Sequence, residues 1–351
     1  MPKKIRVLVI DDSALIRQIL TKGLSMDPEI EVVGSAVDPY IARDKIIQLR
    51  PDVLTLDVEM PRMDGVEFLR KLMPQYPLPV VMVSSLTQRG KQITIEALEA
   101  GAVDFVSKPT SNVAQGMNNM LSELRKKVKA AARANVSHWK NKTPSQPEVQ
   151  TAMSSRALAE STDKVIAIGA STGGTEALKK VVCKFPATAP GVVIVQHMPP
   201  GFTRMFAERL NQLCAMEVKE AESGDRIRSG RILVAPGAKQ LEVIRSGGMY
   251  QVRCEPGEKV SGHCPSVDVM MHSVAKNVGA NAIGVMLTGM GADGAEGMLA
   301  MKNAGARNIA QDEASCVVFG MPKVAYEKGG AEKLVPLENI AAKVISMLTE
   351  K

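Results

Sequence analysis

Ser171 stands in Gly169-Ala170-Ser171-Thr172-Gly173, between an apolar run, Val165-Ile166-Ala167-Ile168, and an apolar-periodic stretch over residues 175–182. A serine among small residues at a strand-to-helix turn has the form of a nucleophile elbow. The small neighbours let the backbone turn sharply and leave room for a substrate carbonyl beside the hydroxyl. The helix start adds N–H groups and a positive dipole end, both suited to an oxyanion. On the pentapeptide alone, a Gly-rich turn that only packs, or one that holds a phosphate, fits as well.

Two further residues supply what the serine lacks. His197 ends the run Val192-Val193-Ile194-Val195-Gln196, and Asp293 follows Ile283-Gly284-Val285-Met286-Leu287 by a short loop. All three then fall at the carboxyl ends of parallel-strand candidates, where a Ser–His–Asp relay can assemble. In that relay His197 takes the Ser171 proton while Asp293 fixes the imidazole and steadies the imidazolium. The backbone N–H groups of Thr172 and Met290 are the candidates to face the oxyanion. The order Ser…His…Asp differs from the Ser…Asp…His of α/β-hydrolases, which argues against that fold. A lone strand-end histidine is more often structural than catalytic. Of the four histidines, however, only His197 has this position. His263 beside Cys264, with Cys254 upstream, matches no standard zinc spacing.

A rival reading comes from Gly289-Met290-Gly291-Ala292-Asp293-Gly294, a literal GxGxxG between a strand and a helix. Asp312 follows where a ribose-binding acid of a dinucleotide site would stand. Against it, Asp293 would push a carboxylate towards a pyrophosphate, and Ser171 and His197 would be left without a role.

The N-terminal part carries a different set. Asp11 and Asp12 end the first strand candidate, Asp57 the third, Ser84 and Ser85 the fourth, and Lys108 with Pro109 the fifth. Three carboxylates on one rim form a hard-oxygen site suited to Mg²⁺, and a nearby hydroxyl and ammonium can hold phosphoryl oxygens.

The elements that must position these groups alternate along the chain. Strands are expected at residues 6–10, 32–36, 53–56, 80–83 and 104–106, with helical segments such as 14–24, 65–73 and 94–100. Met117, Met120, Leu121, Leu124 and Val128 mark a fifth helix. This predicts a doubly wound five-stranded parallel sheet over residues 1–134. Residues 135–162, with Lys142-Thr143-Pro144-Ser145-Gln146-Pro147, lose the periodicity and read as a linker. A second, mostly parallel, doubly wound α/β domain is expected over residues 163–351. Its strands include 165–169, 192–196, 232–235, 282–287 and 308–311, and a hairpin at 241–245 and 250–253 turns at Gly247-Gly248.

Composition narrows the class. At 351 residues, with 45% hydrophobic and 23% charged residues, two globular domains are the default. Aromatics at 3% argue against a nucleic-acid stacking surface. Residues 110–162 hold eight Lys/Arg against three Asp/Glu, so most of the net charge of +7 is local and gives little reason to expect nucleic acid. No apolar run approaches the ~20 residues of a membrane-spanning helix, and no signal peptide is evident. Five cysteines without a CxxC pair suit free thiols in the cytoplasm.

The acidic set, with Met60-Pro61 and Asp64-Gly65 after Asp57, resembles the receiver domain of two-component response regulators. The resemblance implies that Asp57 accepts a phosphoryl group from a histidine kinase while Asp11, Asp12 and Asp57 gather Mg²⁺. It also implies that Ser84 is the switch hydroxyl, Phe105 the switching aromatic and Lys108 the phosphoryl-binding lysine.

The C-terminal segments, Gly169 to Gly174, Gln196-His197-Met198, Pro265-Ser266-Val267-Asp268 and Leu287 to Gly294, are similar to those of chemotaxis protein-glutamate methylesterases. That family implies hydrolysis of glutamate γ-methyl esters on the cytoplasmic helices of chemoreceptors, with release of methanol and with deamidation of certain receptor glutamines. It implies a cytoplasmic response-regulator enzyme that is not membrane-embedded, with a chemotaxis histidine kinase as phosphodonor. Ser171, His197 and Asp293 are the implied catalytic residues, with no cofactor for the hydrolysis. A dinucleotide-binding regulator and a non-catalytic, phosphorylation-switched binding module are the alternatives.

Overall fold

Two runs of alternating strand and helix form two separate units, Met1–Gln146 and Pro147–Lys351. The structure is a computed structural model, and it describes residues 3–109, 113–141 and 163–349.

The first unit runs β1 (Ile5–Ile10), α1 (Ala14–Ser25), β2 (Ile30–Ala36), α2 (Pro39–Leu49), β3 (Val53–Asp57), α3 (Gly65–Gln75), β4 (Val80–Ser84), α4 (Gln88–Glu99), β5 (Asp104–Ser107) and α5 (Val113–Ala131). The sheet order is β2-β1-β3-β4-β5 and every pair is parallel. β3 and β4 are buried along their whole length, as strands covered by helices on both faces must be. Ser13, Asp38, Asp64 and Thr87 cap α1 to α4, each accepting a backbone N–H of the first turn. The winding reverses between β1 and β3, and a crevice opens beyond their carboxyl ends.

Residues 135–141, which the sequence assigns to the linker, pack on this unit. Ser137–Trp139 form a 3₁₀ turn, the Asn141 N–H donates to Pro74 O, and the Trp139 ring lies over Gly101. The rest of the expected linker, residues 142–162, lies outside the described residues.

The second unit runs β6 (Val165–Ala170), α6 (Gly174–Val182), β7 (Gly191–Gln196), α7 (Phe202–Leu213), β8 (Glu217–Glu220), β9 (Arg231–Val234), β10 (Lys239–Ser246), β11 (Met249–Pro256), α8 (Val267–Asn277), β12 (Ala282–Met286), α9 (Ala295–Asn303), β13 (Arg307–Gln311), α10 (Met321–Glu327), β14 (Lys333–Val335) and α11 (Leu337–Thr349). Seven strands join in the order β14-β13-β12-β6-β7-β9-β8, all parallel. β10 and β11 make a separate antiparallel sheet turning at Gly247 and Gly248, both with positive φ, as a two-residue hairpin loop requires.

Alternate residues divide the core. Val165 and Ala167 of β6 and Val193 and Val195 of β7 pack with α8, α9 and the hairpin through Met270, Met271, Met298 and Leu241. Their fully buried neighbours Ile166, Ile168, Val192 and Ile194 point to the opposite face. Here the winding reverses between β6 and β12, which pair directly. Their carboxyl ends are the topological switch point of this sheet.

Candidate functional site

Three strand ends of the second unit are tied together by backbone hydrogen bonds. The Ser171 N–H donates to Thr288 O at 3.0 Å, and the His197 N–H donates to Ala170 O at 3.2 Å. The turn after Ser171 closes through the Gly174 N–H to Ser171 O at 2.7 Å, and the Gln196 amide donates to the same oxygen at 2.9 Å. Ser171, half-buried, therefore stands at the switch point, with the β7 end on one side and the β12 loop on the other.

Gly289 shows how closely that loop approaches. A Cβ at this position would lie 2.8 Å from Ser171 Cβ, so a side chain there would displace the elbow. Met290 follows directly, on a loop held by the Gly320 and Met321 N–H groups donating to Gly289 O. Thr172 is buried, and its carbonyl accepts from the Thr288 hydroxyl at 3.1 Å.

His197 and Asp293 form a buried pair, with Nε2 2.7 Å from Oδ2. Asp293 is the most heavily bonded carboxylate of the site. It also accepts from the Ser266 hydroxyl at 2.7 Å and from the N–H groups of Val267 and Asp268 at 2.8 and 3.1 Å, at the start of α8. Burial alone would push its pKa up. The imidazole and these donors outweigh burial and hold it down at about 2, so the carboxylate is charged. Burial and that charge together push neighbouring Asp268 up. With Nε2 on Asp293, the other nitrogen, Nδ1, is buried without a hydrogen-bond partner. The Ser171 hydroxyl is thus not bonded to it in this structure. Catalytic hydrogen bonds of this kind commonly tighten only when substrate binds.

In the first unit, Asp11, Asp12 and Asp57 place one carboxylate oxygen each within 4.8 Å of one another. Lys108 Nζ lies 3.0 Å from both Asp11 and Asp57, and its backbone N–H donates to Ser84 O at 2.7 Å. Burial, opposed by Lys108 and reinforced by Asp11, raises the Asp57 carboxyl to about 6. Crowded hard-oxygen donors of this kind suit Mg²⁺. Ser84 is buried, and its hydroxyl meets Thr94 Oγ1 and Gly90 O rather than Asp57. Phe105 is buried on β5, with the Lys127 ammonium 5.2 Å from its ring centroid.

Each unit matches a known protein family. Residues 166–344 match the family model described as CheB methylesterase, and residues 7–122 match the response regulator receiver domain. A protein-glutamate methylesterase/protein-glutamine glutaminase of Syntrophotalea carbinolica is 74% identical over 351 residues, covering 100% of this chain and 99% of that protein. The chain belongs to the protein-glutamate methylesterase/protein-glutamine glutaminase family. A member from Salmonella typhimurium is 53% identical over 347 residues, covering 99% of this chain and 97% of its own. The crystal structure of the Thermotoga maritima CheB methylesterase catalytic domain matches with a TM-score of 0.51 at 38% identity, covering 52% of this chain and 98% of that one.

Within the methylesterase unit, the dinucleotide reading of Gly289 to Gly294 is not favoured. The Asp293 carboxylate is buried and fully engaged by His197 and the start of α8. The Asp312 carboxylate is taken up by Ser315. Two residues named in the sequence reading were not given the roles the structure shows. Ser266 caps α8 and donates to Asp293, and the His263 ring stacks on that of His197 at 3.7 Å. Ser266 lay in a recognised segment, but nothing local pairs it with Asp293, 27 residues away.

Proposed function

We propose that this chain is a phosphorylation-regulated serine esterase. It hydrolyses glutamate γ-methyl esters on the cytoplasmic helices of chemoreceptors and deamidates receptor glutamines in chemotaxis adaptation. The observation that carries the reading is the buried His197–Asp293 pair at 2.7 Å, beside the Ser171 turn. Ser171 Oγ attacks the ester carbonyl as its proton passes to His197 Nδ1, the nitrogen left open by the Asp293 bond. The N–H groups of Thr172 and Met290 stabilise the oxyanion. The imidazolium then gives its proton to the leaving methoxy oxygen as the C–O bond breaks, forming methanol, or to the leaving nitrogen, forming ammonia, when the substrate is glutamine. Water, activated by the same imidazole, releases the glutamate.

Asp57 is the phosphoacceptor for a chemotaxis histidine kinase. Asp11, Asp12 and Asp57 would hold Mg²⁺, which when bound offsets phosphoryl charge. Lys108 pairs with the phosphoryl oxygens, and Ser84 and Phe105 carry the change to the receiver surface. Among the described residues no helix is long and apolar enough to cross a membrane.

The test is methanol release from methyl-labelled receptor, with and without a phosphodonor. Release should rise on phosphorylation and fall by about 10⁴-fold or more in Ser171→Ala and His197→Ala, which act as a unit. Near wild-type release by Ser171→Ala would end the esterase mechanism. Receptor binding without release by the wild-type chain would favour a switched binding module.

A further inference from the structure

Two thiols that the hydrolysis does not use lie against each other. Cys183 ends α6, Cys214 ends α7, and their Sγ atoms are 2.9 Å apart. α6 and α7 follow neighbouring parallel strands, so their C-terminal ends come together at the end of the sheet remote from Ser171 and His197. The nine residues of α6 put about 14 Å of helix between the elbow and Cys183. Cys183 is buried and Cys214 half-buried, which leaves a solvent route to the pair. Both are free thiols, and among the described residues none of Cys254, Cys264 and Cys316 has a sulfur partner.

We infer that Cys183 and Cys214 are a redox modification site, closing to a reversible intramolecular disulfide when the chain meets a hydroperoxide. The ~2.05 Å bond needs the two sulfurs to move together by less than about 1 Å. Cys183 is the attacking group. Its thiolate is favoured by the S–H bond from Cys214 and by Lys179, against the opposing pull of burial, of Glu176, which pairs with Lys179 at 2.7 Å, and of the helix C-terminus. Cys214 is pushed up by that hydrogen bond and by burial, so it holds its proton until it acts as the resolving thiol.

In the first step Cys183 sulfur attacks one peroxide oxygen. The O–O bond breaks, and the leaving oxygen takes the Cys183 proton, giving water (an alcohol from an organic hydroperoxide) and a Cys183 sulfenic acid. Cys214 sulfur then attacks Cys183 sulfur. The S–S bond forms, the S–O bond breaks, and hydroxide leaves with the Cys214 proton as a second water. Two thiols lose two electrons and the peroxide gains them. The disulfide ends the oxidation at a step that thiol reductants reverse, before the irreversible sulfinic and sulfonic acids.

The experiment treats the reduced full chain with hydrogen peroxide, alkylates the remaining thiols and maps the unreduced digest by mass spectrometry. The expected product is a Cys183–Cys214 linked peptide, lighter by two hydrogens than its parts and separated by dithiothreitol. In Cys214→Ser, which retains the size of the side chain, Cys183 should instead trap dimedone as the sulfenic acid and then accumulate sulfinic acid. The inference is overturned if Cys183 and Cys214 remain alkylatable while Cys264 oxidises. It is equally overturned if either cysteine pairs with a different one. Neither readout uses esterase activity, so failure here is separate from failure of the proposed function.

Discussion

The rings of His197 and His263 lie face to face, with centroids 3.7 Å apart and planes 5° from parallel. Asp293 holds the edge of the His197 ring through Nε2, and His263 covers one of its faces. The two contacts restrain different motions, rotation in the plane and tilt out of it. His263→Ala should therefore lower kcat by roughly fivefold, the scale of about 1 kcal/mol for an aromatic pair, with little change in KM. His263→Phe, which keeps a flat ring, should recover most of the loss. If Phe were no better than Ala, stacking would not be what positions the imidazole.

Asp293 gives the methylesterase unit a pH signature. Its folded pKa of about 2 lies below the ordinary 3.8, so the carboxylate adds stability that is fully present above about pH 4. That stability is lost as pH falls through about 2, and amounts to about 2 kcal/mol. Asp293→Asn should be less stable than wild type at pH 5, and the gap should shrink by pH 2. Urea unfolding followed by circular dichroism at the two pH values measures it. A gap independent of pH would mean that charge on Asp293 does not stabilise the fold.

Gly289 should tolerate no side chain. In Gly289→Ala the new methyl meets Ser171 Cβ and Met321 Sδ, an overpacking that costs about 1–3 kcal/mol. Because one of the displaced groups belongs to the elbow, kcat should fall well beyond what lost stability explains. Urea titration and single-turnover kinetics on the same variant separate the two effects. Full activity would show that the loop yields and the serine does not.

Asp57→Asn should abolish phosphoryl uptake while leaving the basal esterase rate, since Ser171, His197 and Asp293, the proposed relay, all lie in the second unit. Chelation of divalent cations should likewise block labelling from a phosphodonor without slowing unstimulated hydrolysis. Loss of basal hydrolysis on chelation would reopen the search for a metal near Ser171.

The parts of this architecture carried by local pattern were legible in the sequence. Apolar runs placed most strands, and residue types at strand ends placed Ser171, His197, Asp293 and the acidic set of the receiver. Two of the elements not placed correctly lack an apolar signal. β8 is Glu-Val-Lys-Glu, an edge strand whose Glu217 pairs with Arg228 and Arg231. The first turns of α4, Gln88-Arg89-Gly90-Lys91, carry no hydrophobic periodicity, so that helix was expected to start at residue 94 and in fact starts at Gln88. Ser266 with Asp293, His263 with His197, and Cys183 with Cys214 are meetings across the fold. No spacing along the chain announces them.

The pairing of β6 with β12 sets a timetable for synthesis. β6 leaves the ribosome more than a hundred residues before β12, and in the finished sheet β12 covers the edge of β6 that β7 does not. A nascent chain that ends before Ala282 therefore carries an open, apolar strand edge in the middle of what will become a seven-stranded sheet, a state prone to association with other chains. It also lacks Asp293. Emergence of β12 closes that edge, and Asp293 follows it by only seven residues.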